Sequence, residues 1–341
     1  MSTQHARPFS RRRFLGGLTL VGTAGLLGLR AKPVAAAPPP ETTRIRLGQT
    51  SSICRAPEYV ATEFLAGEGF TEVRHLSGNF GEVAQALAAG AIDISLHFAA
   101  TLLLHVEAGE PILGLAGLHV GCIELFGTDR VRAIRDLKGK TVSGGGQGLR
   151  APGHVYLAIM AAYVGLNPLK DINWVDYPPA ESVQLLAEGK IDAFLAFPPF
   201  AQELRAKQIG HVVVDTSRDR PWSQYFCCVV TGNRAFVQKH PVATKRALRA
   251  LLKATDVCAL APEQVAQSLV DKGFTPRYDS ALQVLKELPY NVWREYDPED
   301  SVRFFALRLH EAGMIKSSPQ KLIAQSTDWR FFNELKKELK G

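Results

Sequence analysis

Short apolar runs and longer amphipathic stretches alternate along the chain from about residue 44 to residue 231, and helical patterns continue from there to the end. One stretch shows helical spacing clearly, because Phe80, Val83 and Leu87 fall at i, i+3 and i+7 and so share one face. Gly90 follows as a stop signal. Strands that alternate with helices favour an α/β protein with mainly parallel sheets. The pattern predicts strands at 45–48, 92–96, 173–177, 211–215 and 225–231, a further strand ending at 143, and helices at 57–67, 80–89 and 153–164.

One unit of helix, glycine and strand occurs twice, 99 residues apart. Residues 85–93 read QALAAGAID and residues 184–192 read QLLAEGKID, so six of the nine positions are identical. Two similar α/β units are the simplest explanation. At roughly 150 residues per domain, a chain of 341 residues also favours two domains.

The net positive charge of the chain is concentrated at its N-terminus. The chain has 40 basic and 33 acidic residues, but six of the basic and none of the acidic ones fall within residues 1–37, which leaves 34 against 33. The rest of the chain therefore lacks the basic surface that binding to a nucleic-acid backbone requires. With 46% hydrophobic and 21% charged residues, the chain also lacks the composition of a disordered protein.

Residues 1–37 have the order of an export signal. Three arginines at 11–13 precede 14 uncharged, apolar or small residues at 16–29, and small residues follow up to Ala37. A membrane anchor is the alternative, but 14 residues fall short of the roughly 18–20 that span a bilayer. The paired arginines resemble a twin-arginine signal. We therefore predict a periplasmic protein whose signal is cleaved after Ala36 or Ala37.

The spacing of cysteines and histidines indicates no metal centre or catalytic site. The chain has no C-x-x-C pair, no H-x-H or H-E-x-x-H spacing and no G-x-S-x-G motif. We accordingly predict no cofactor, no metal ligand and no catalytic residue. Most of the cysteines are expected to be buried thiols, with Cys227 and Cys228 on opposite faces if both lie in a strand. The five cysteines are Cys54, Cys122, Cys227, Cys228 and Cys258, and their pairing stays open.

Five short motifs occur in order along the chain. They are RLGQ at 46–49, ALAAGAID at 86–93, EAGEP at 107–111, DLKGK at 136–140 and LAEGKIDA at 186–193. Together they resemble the extracytoplasmic solute-binding proteins of ABC importers, in particular the nitrate, sulfonate and taurine type, which also includes binders of thiamine-precursor pyrimidines. The resemblance covers about residues 44–236, with a weaker helical match beyond.

This resemblance implies an α/β fold of the type II periplasmic-binding-protein class, a two-lobe clamp in which each lobe is a mixed, mainly parallel sheet flanked by helices. It implies a monomer that binds a small-molecule ligand in the cleft, delivers it to the membrane subunits of an ABC permease, and is not an enzyme. An enzyme on the same fold, acting on a small acid or heterocycle, is the alternative. The implied lobes are 44–118 plus 232–341 and 126–222, joined by crossovers near 118–128 and 223–231.

Turns that follow strand ends are where such a fold places its polar contacts. Hydroxyls, an amide and one guanidinium follow the first strand and suit a polar or anionic ligand, although a helix cap is the alternative there. A glycine-rich turn can direct several backbone N–H groups at a carboxylate, sulfonate or phosphate oxygen, or can simply be a tight turn. The predicted contacts from these turns are Gln49, Thr50, Ser51, Ser52, Arg55, His97, Thr101, Gly145, Gly146 and Gln147.

Aromatic residues from both lobes are the remaining predicted ligand contacts. Phe197 and Phe200 lie on a proline-rich turn that corresponds to the turn holding Phe98, and Trp222 and Tyr225 lie near the second crossover. Aromatic rings on both sides of a cleft favour an organic ligand over a bare inorganic ion, whereas packing is the alternative for each ring.

The two implied crossovers also bring cysteines together. Cys122 lies on the first crossover, and Cys227 and Cys228 lie on the second. One disulfide between them would restrain the motion of the lobes. This hypothesis requires Cα atoms within about 7 Å of each other.

Overall fold

The computed structural model describes residues 38–146 and 148–340. The predicted export signal at 1–37, with its cleavage site, and the predicted ligand contact Gln147 lie outside the described residues. Among the helices that are described, none is long and apolar enough to cross a bilayer.

Ten strands and thirteen α-helices form the described part of the chain. The strands are β1 Arg44–Gln49, β2 Glu72–Ser77, β3 Ile94–Phe98, β4 Ile112–Val120, β5 Glu124–Gly127, β6 Thr141–Ser143, β7 Asn173–Val175, β8 Ala193–Ala196, β9 His211–Asp215 and β10 Phe226–Asn233. The helices are α1 Ala56–Leu65, α2 Phe80–Ala88, α3 Ala99–Glu107, α4 Pro152–Tyr163, α5 Pro179–Ala187, α6 Phe200–Ala206, α7 Arg234–Lys239, α8 Pro241–Leu260, α9 Pro262–Asp271, α10 Tyr278–Glu287, α11 Pro298–Glu311, α12 Pro319–Ser326 and α13 Arg330–Glu338.

The strands form two mixed five-stranded sheets, in the orders β2-β1-β3-β10-β4 and β7-β6-β8-β5-β9. This confirms the predicted fold class of two sheets flanked by helices. Fewer strand pairings are parallel than expected, since four of the eight pairings in the described chain are parallel and four are antiparallel. The antiparallel pairs all involve β5 or β10, the first strand that the chain adds to each sheet after passing from the other sheet.

The aspartate of the repeated sequence unit accepts an equivalent backbone hydrogen bond in both sheets. In the first copy the Asp93 carboxylate accepts the Arg46 backbone N–H at 2.8 Å, at the point where β1 runs beside β3. In the second copy the Asp192 carboxylate accepts the Thr141 N–H at 2.8 Å, where β6 runs beside β8. Each aspartate therefore ties the start of its own strand to the neighbouring parallel strand, which explains why the unit recurs.

The chain passes from the first sheet to the second through residues 121–123 and returns through 216–225. The return lies earlier than the expected crossover at 223–231, because β10 is already an inner strand of the first sheet. The division into lobes at 44–118 plus 232–341 and 126–222 stays a prediction.

Candidate functional site

A cavity of about 240 Å³ lies where helices of both sheets begin. Helices α2 and α3 and the end of strand β3 form most of its walls, and the segment that leads into α4 forms the rest. Its lining residues are Phe80, Gly81, Gln85, His97, Phe98, Thr101, His105, Glu110, Arg150, Ala151 and Pro152.

Three helix N-termini meet at this cavity. Phe80 and Gly81 open α2, Thr101 lies in the first turn of α3, and Pro152 opens α4. Neither α3 nor α4 has a side chain capping its first turn, so backbone N–H groups there stay available to a ligand. The positive ends of the helix dipoles add to this effect, and the cavity consequently favours an anionic group.

His97, which lines the cavity, carries a buried hydrogen-bond acceptor without a partner among the described residues. Its Nδ1 lies 2.6 Å from Oγ1 of Thr231, and that hydroxyl donates its proton to the Ser95 carbonyl at 3.0 Å. Nδ1 must therefore carry the imidazole proton, which leaves Nε2 as an acceptor. Nε2 is buried and has no hydrogen-bond partner among the described residues. Burial, helped by His105 and Arg55, holds the pKa of His97 well below its usual value, so the ring stays neutral.

Charged groups also line the cavity. Nδ1 of His105 lies 2.8 Å from the Glu110 carboxylate, and the Arg150 guanidinium lies 3.8 Å from the same carboxylate. Arg150 keeps 62% of its side chain exposed. It is therefore free to turn toward a bound anion.

Three of the predicted contacts line the cavity, namely His97, Phe98 and Thr101. The turn after β1 does not line the cavity. Most of its residues are buried, and Arg55 is only 2% exposed. The Arg55 guanidinium pairs with the Glu58 carboxylate at 2.9 Å and donates to Ser95 Oγ at 2.6 Å. The structure thus places Arg55 inside the protein, in contact with other side chains. Gln49, Thr50 and Ser52 are buried beside it, and Ser51 is exposed.

The proline-rich turn after β8 reaches the cavity wall indirectly. Phe197 packs edge-on against Phe80 with ring centroids 5.6 Å apart, and its other neighbour is Phe200 at 5.7 Å. Ser52 Oγ also donates to the Pro198 carbonyl at 3.2 Å. These contacts join elements of the two sheets next to the cavity. Gly145 donates its N–H to Ser143 Oγ at 3.1 Å, and Gly146 follows it in the same turn without lining the cavity.

Trp222 and Tyr225 pack elsewhere. The Tyr225 ring stacks on Phe304 of α11 at 3.9 Å between centroids, and Trp222 packs edge-on against the same ring at 5.6 Å. Neither residue lines the cavity. Both rings pack against α11, and their role as ligand contacts stays a prediction.

A comparison with known protein families shows which family this chain belongs to. Residues 38–270 match the NMT1-like family. The chain belongs to the NMT1-like family. The chain also matches 94 residues of the bicarbonate-binding protein CmpA of Synechococcus elongatus at 30% identity, which is 28% of this chain. The matched segment is only 20% of the length of that relative.

Solved structures with the same fold include binding proteins and an enzyme. The periplasmic nitrate-binding protein NrtA of Synechocystis PCC 6803 has a TM-score of 0.71 at 19% identity, covering 88% of this chain and 90% of its own. The periplasmic aliphatic sulphonate-binding protein SsuA of Escherichia coli has a TM-score of 0.65 at 16% identity, covering 82% and 91%. The desulfurization enzyme DSZB has a TM-score of 0.60 at 16% identity, covering 86% and 99%. These likenesses confirm the periplasmic-binding-protein fold.

Sequence reasoning missed eight lining residues of this NMT1-like chain. Only some carried a signal: Glu110 lies in the EAGEP motif, and Phe80 begins a helix that the apolar spacing predicted. A search for helix starts as well as strand ends would have found several of the others. The missed residues are Phe80, Gly81, Gln85, His105, Glu110, Arg150, Ala151 and Pro152.

His154, in the first turn of α4, makes the stability of the site region depend on pH. Its ring packs against Trp174 at 3.9 Å between centroids, and burial lowers its pKa from 6.5 to about 4. Between these pH values the unfolded chain binds a proton that the folded chain does not, so the free energy of unfolding falls as the pH falls.

We expect the His154→Phe variant to lose this dependence. The wild-type chain should lose up to about 3 kcal/mol more than the variant between pH 6.5 and pH 4. Denaturant unfolding across this range measures the difference. Parallel pH profiles for the two proteins would contradict the assignment.

Proposed function

We propose that this protein is an extracytoplasmic solute receptor, which holds a small polar or anionic organic molecule in the cavity and delivers it to an ABC permease. The observation that carries this proposal is the convergence of three helix N-termini on a cavity lined also by His97, whose buried Nε2 has no partner among the described residues. Family membership supports a binding protein, as do the nitrate-binding and sulphonate-binding proteins that share the fold.

The side chains and helix ends that line the cavity limit which functional groups the ligand can carry. The helix N-termini and Arg150 favour a negatively charged group, whereas Nε2 of His97 requires a hydrogen-bond donor. The rings of Phe80 and Phe98 contact whatever apolar part the molecule has. We therefore propose a small acid that carries a hydroxyl or amino group in addition to its anionic group. Bicarbonate, the ligand in the name of the matched relative, has both features in one ion.

The contacts between the two sheets fit a clamp that closes on its ligand. Ser52 touches Pro198, and Phe80 touches Phe197, next to the cavity. A ligand that binds both walls stabilises this arrangement relative to an open one. Periplasmic location, a monomeric state and transfer to the permease without chemical change are parts of the same proposal.

The proposal is tested by thermal unfolding against a panel of bicarbonate, nitrate, sulfonates, hydroxy acids, amino acids and pyrimidines. A compound present at about 100 times its dissociation constant should add about 2.7 kcal/mol and raise the midpoint by several degrees. Because the fold also carries an enzyme, the ligand is then recovered and analysed. Recovery of a changed molecule would favour the enzyme alternative, and no shift with any compound would contradict the receptor.

We expect Arg150→Ala to weaken the binding of the stabilising compound about 10-fold, the cost of one hydrogen bond to a charged group. Arg132→Ala is the matched control, because Arg132 is similarly exposed, pairs with Asp129 at 3.0 Å and does not line the cavity. Calorimetric titration of both variants measures the effect. Equal affinities would show that Arg150 does not face the ligand.

A further inference from the structure

Three cysteines and one histidine from separate parts of the sequence lie close together near residues 121–123, the first link between the two sheets. Cys54 follows β1, His119 is near the end of β4, Cys122 lies in the link at 121–123, and Cys228 lies in β10. All four are buried, and one ligand atom from each lies within 4.8 Å of the others. In a tetrahedral zinc site, with Zn–S bonds of about 2.3 Å, ligand atoms are about 3.8 Å apart. The four side chains are thus nearly at coordination distance.

The orientation of the His119 ring suits metal binding. Its Nδ1 lies 3.0 Å from the Gly121 carbonyl and 3.4 Å from the Val120 carbonyl. Carbonyl oxygens only accept hydrogen bonds, so Nδ1 carries a proton and Nε2 is the nitrogen that can bind a metal once it is unprotonated. Nε2 is buried and has no hydrogen-bond partner in the described part of the chain. Metal-binding histidines commonly have this arrangement, in which a backbone carbonyl fixes the ring through the other nitrogen.

An irregular register of β10 brings two neighbouring cysteines close to Cys122. Opposite faces were expected for Cys227 and Cys228, and this expectation is wrong: Cys227 Sγ lies 3.1 Å from Cys122 Sγ, and Cys228 belongs to the same cluster. The register of β10 against β4 shifts between Phe226 and Cys228, so the strict alternation of side chains is lost there. β-bulges, which are one form of such an irregularity, re-aim side chains next to functional sites.

Neighbouring groups fix the cluster in position. The Ser52 hydroxyl lies 3.1 Å from Cys54 Sγ, and the Tyr290 hydroxyl donates to the Cys54 carbonyl at 2.9 Å. The Tyr290 ring also packs edge-on against His119 at 5.2 Å between centroids. Hydrogen bonds and packing around the ligands orient them in known metal sites.

We propose that Cys54, His119, Cys122 and Cys228 bind one thiophilic metal ion of the zinc type, through three thiolate sulfurs and Nε2. Four protein ligands close the coordination sphere, so the ion is structural, and the thiol protons are released to solvent on binding. Sulfur and imidazole ligands select zinc or cuprous copper over magnesium or calcium. The sequence predicted no metal because its cysteines lack a spacing motif, whereas this site is assembled from four separate segments. The proposal is independent of the solute that the cavity binds.

A disulfide is the competing use of the same sulfurs. The 3.1 Å between Cys122 Sγ and Cys227 Sγ exceeds the roughly 2.05 Å of a bond, so both residues are free thiols in this structure. The predicted disulfide between the links would remove Cys122 from the metal site. The two hypotheses therefore predict different thiol counts and different metal contents for the same protein.

The test is titration of the reduced, full-length chain with Zn²⁺ and with Co²⁺. We expect one ion per chain, and for Co²⁺ strong visible absorption of a tetrahedral site together with a thiolate charge-transfer band. The variants Cys54→Ser and Cys228→Ser should bind at least about 100-fold more weakly, since even the loss of a supporting group costs 10- to 100-fold. Cys258→Ser is the matched control, because Cys258 is equally buried in α8 but outside the cluster, and it should bind normally.

A further variant and the spectrum of the unmodified chain separate metal binding from disulfide formation and from misfolding. Cys227→Ser should retain the ion, since Cys227 is not a ligand in the proposal, and this variant cannot form the competing disulfide. The spectrum of the unmodified chain tests the site even if the ligand variants fail to fold. Absence of a bound ion in the reduced chain would overturn the proposal. Binding unchanged in the folded Cys54→Ser and Cys228→Ser variants would overturn it too, as would a metal-free chain isolated with Cys122 and Cys227 joined.

Discussion

Replacing Arg55 by methionine should lower the free energy of unfolding by about 3–5 kcal/mol, because it leaves a buried carboxylate without its cation. Glu58 is 1% exposed, and its ion pair with Arg55 spans 2.9 Å. Burial already raises the pKa of Glu58 to about 7 although Arg55 opposes the shift. Without the guanidinium, Glu58 must either remain charged in an apolar environment or take up a proton.

Denaturant unfolding of three variants separates this effect from a general loss of packing. The double variant with Arg55→Met and Glu58→Leu removes both charges and should regain most of the stability. Arg303→Met breaks an exposed pair with Glu299 and should cost less than about 1 kcal/mol. If Arg55→Met is no more destabilising than Arg303→Met, the buried pair does not stabilise the fold as described.

Gly153→Ala should destabilise the protein by about 3 kcal/mol and also weaken ligand binding. A Cβ atom on Gly153 would overlap the Gly144 carbonyl oxygen, a backbone atom that cannot rotate away. Either the start of α4 or the turn at 144–146 must move. Since Arg150, Ala151 and Pro152 line the cavity directly before this contact, the movement changes the cavity wall.

The matched control for this substitution is Gly67→Ala. Gly67 is exposed, and a Cβ there would meet no atom within 4 Å. We expect the control to unfold at the wild-type denaturant concentration and to bind the stabilising compound normally. Calorimetry and denaturant unfolding on both variants provide the comparison. A Gly153→Ala protein with wild-type stability would mean that α4 and the glycine turn are not in close contact.

Much of the fold was predictable because its signals are local. The apolar spacing predicted a helix at 80–89, and α2 spans Phe80–Ala88. The repeated unit predicted two similar α/β units, and its two aspartates accept equivalent backbone hydrogen bonds, one in each sheet. The direction of β5 and β10 was not predictable, because it depends on the path of the chain between sheets and leaves no trace in the local sequence.

The candidate site was predictable only in part. His97, Phe98 and Thr101 followed from the rule that strand ends carry function, and the structure brings them to the cavity. Arg55 follows the same rule in the sequence, but its burial beside Glu58 depends on how α1 packs. Of the cysteine and histidine cluster, the sequence indicated only that Cys122 and Cys228 lie on neighbouring crossovers, because Cys54 and His119 share no spacing motif with them.

The position of β10 also determines when the first sheet can be completed. This strand lies between β3 and β4, and it reaches them only after the chain has built the whole second sheet. Contacts so distant in sequence carry a large loop-closure entropy and slow the rate of folding. During synthesis β3 and β4 consequently emerge without their shared neighbour, with unpaired backbone edges that other chains can join. The same connection that unites the two sheets thus exposes the newly made chain to aggregation until residues 226–233 have left the ribosome.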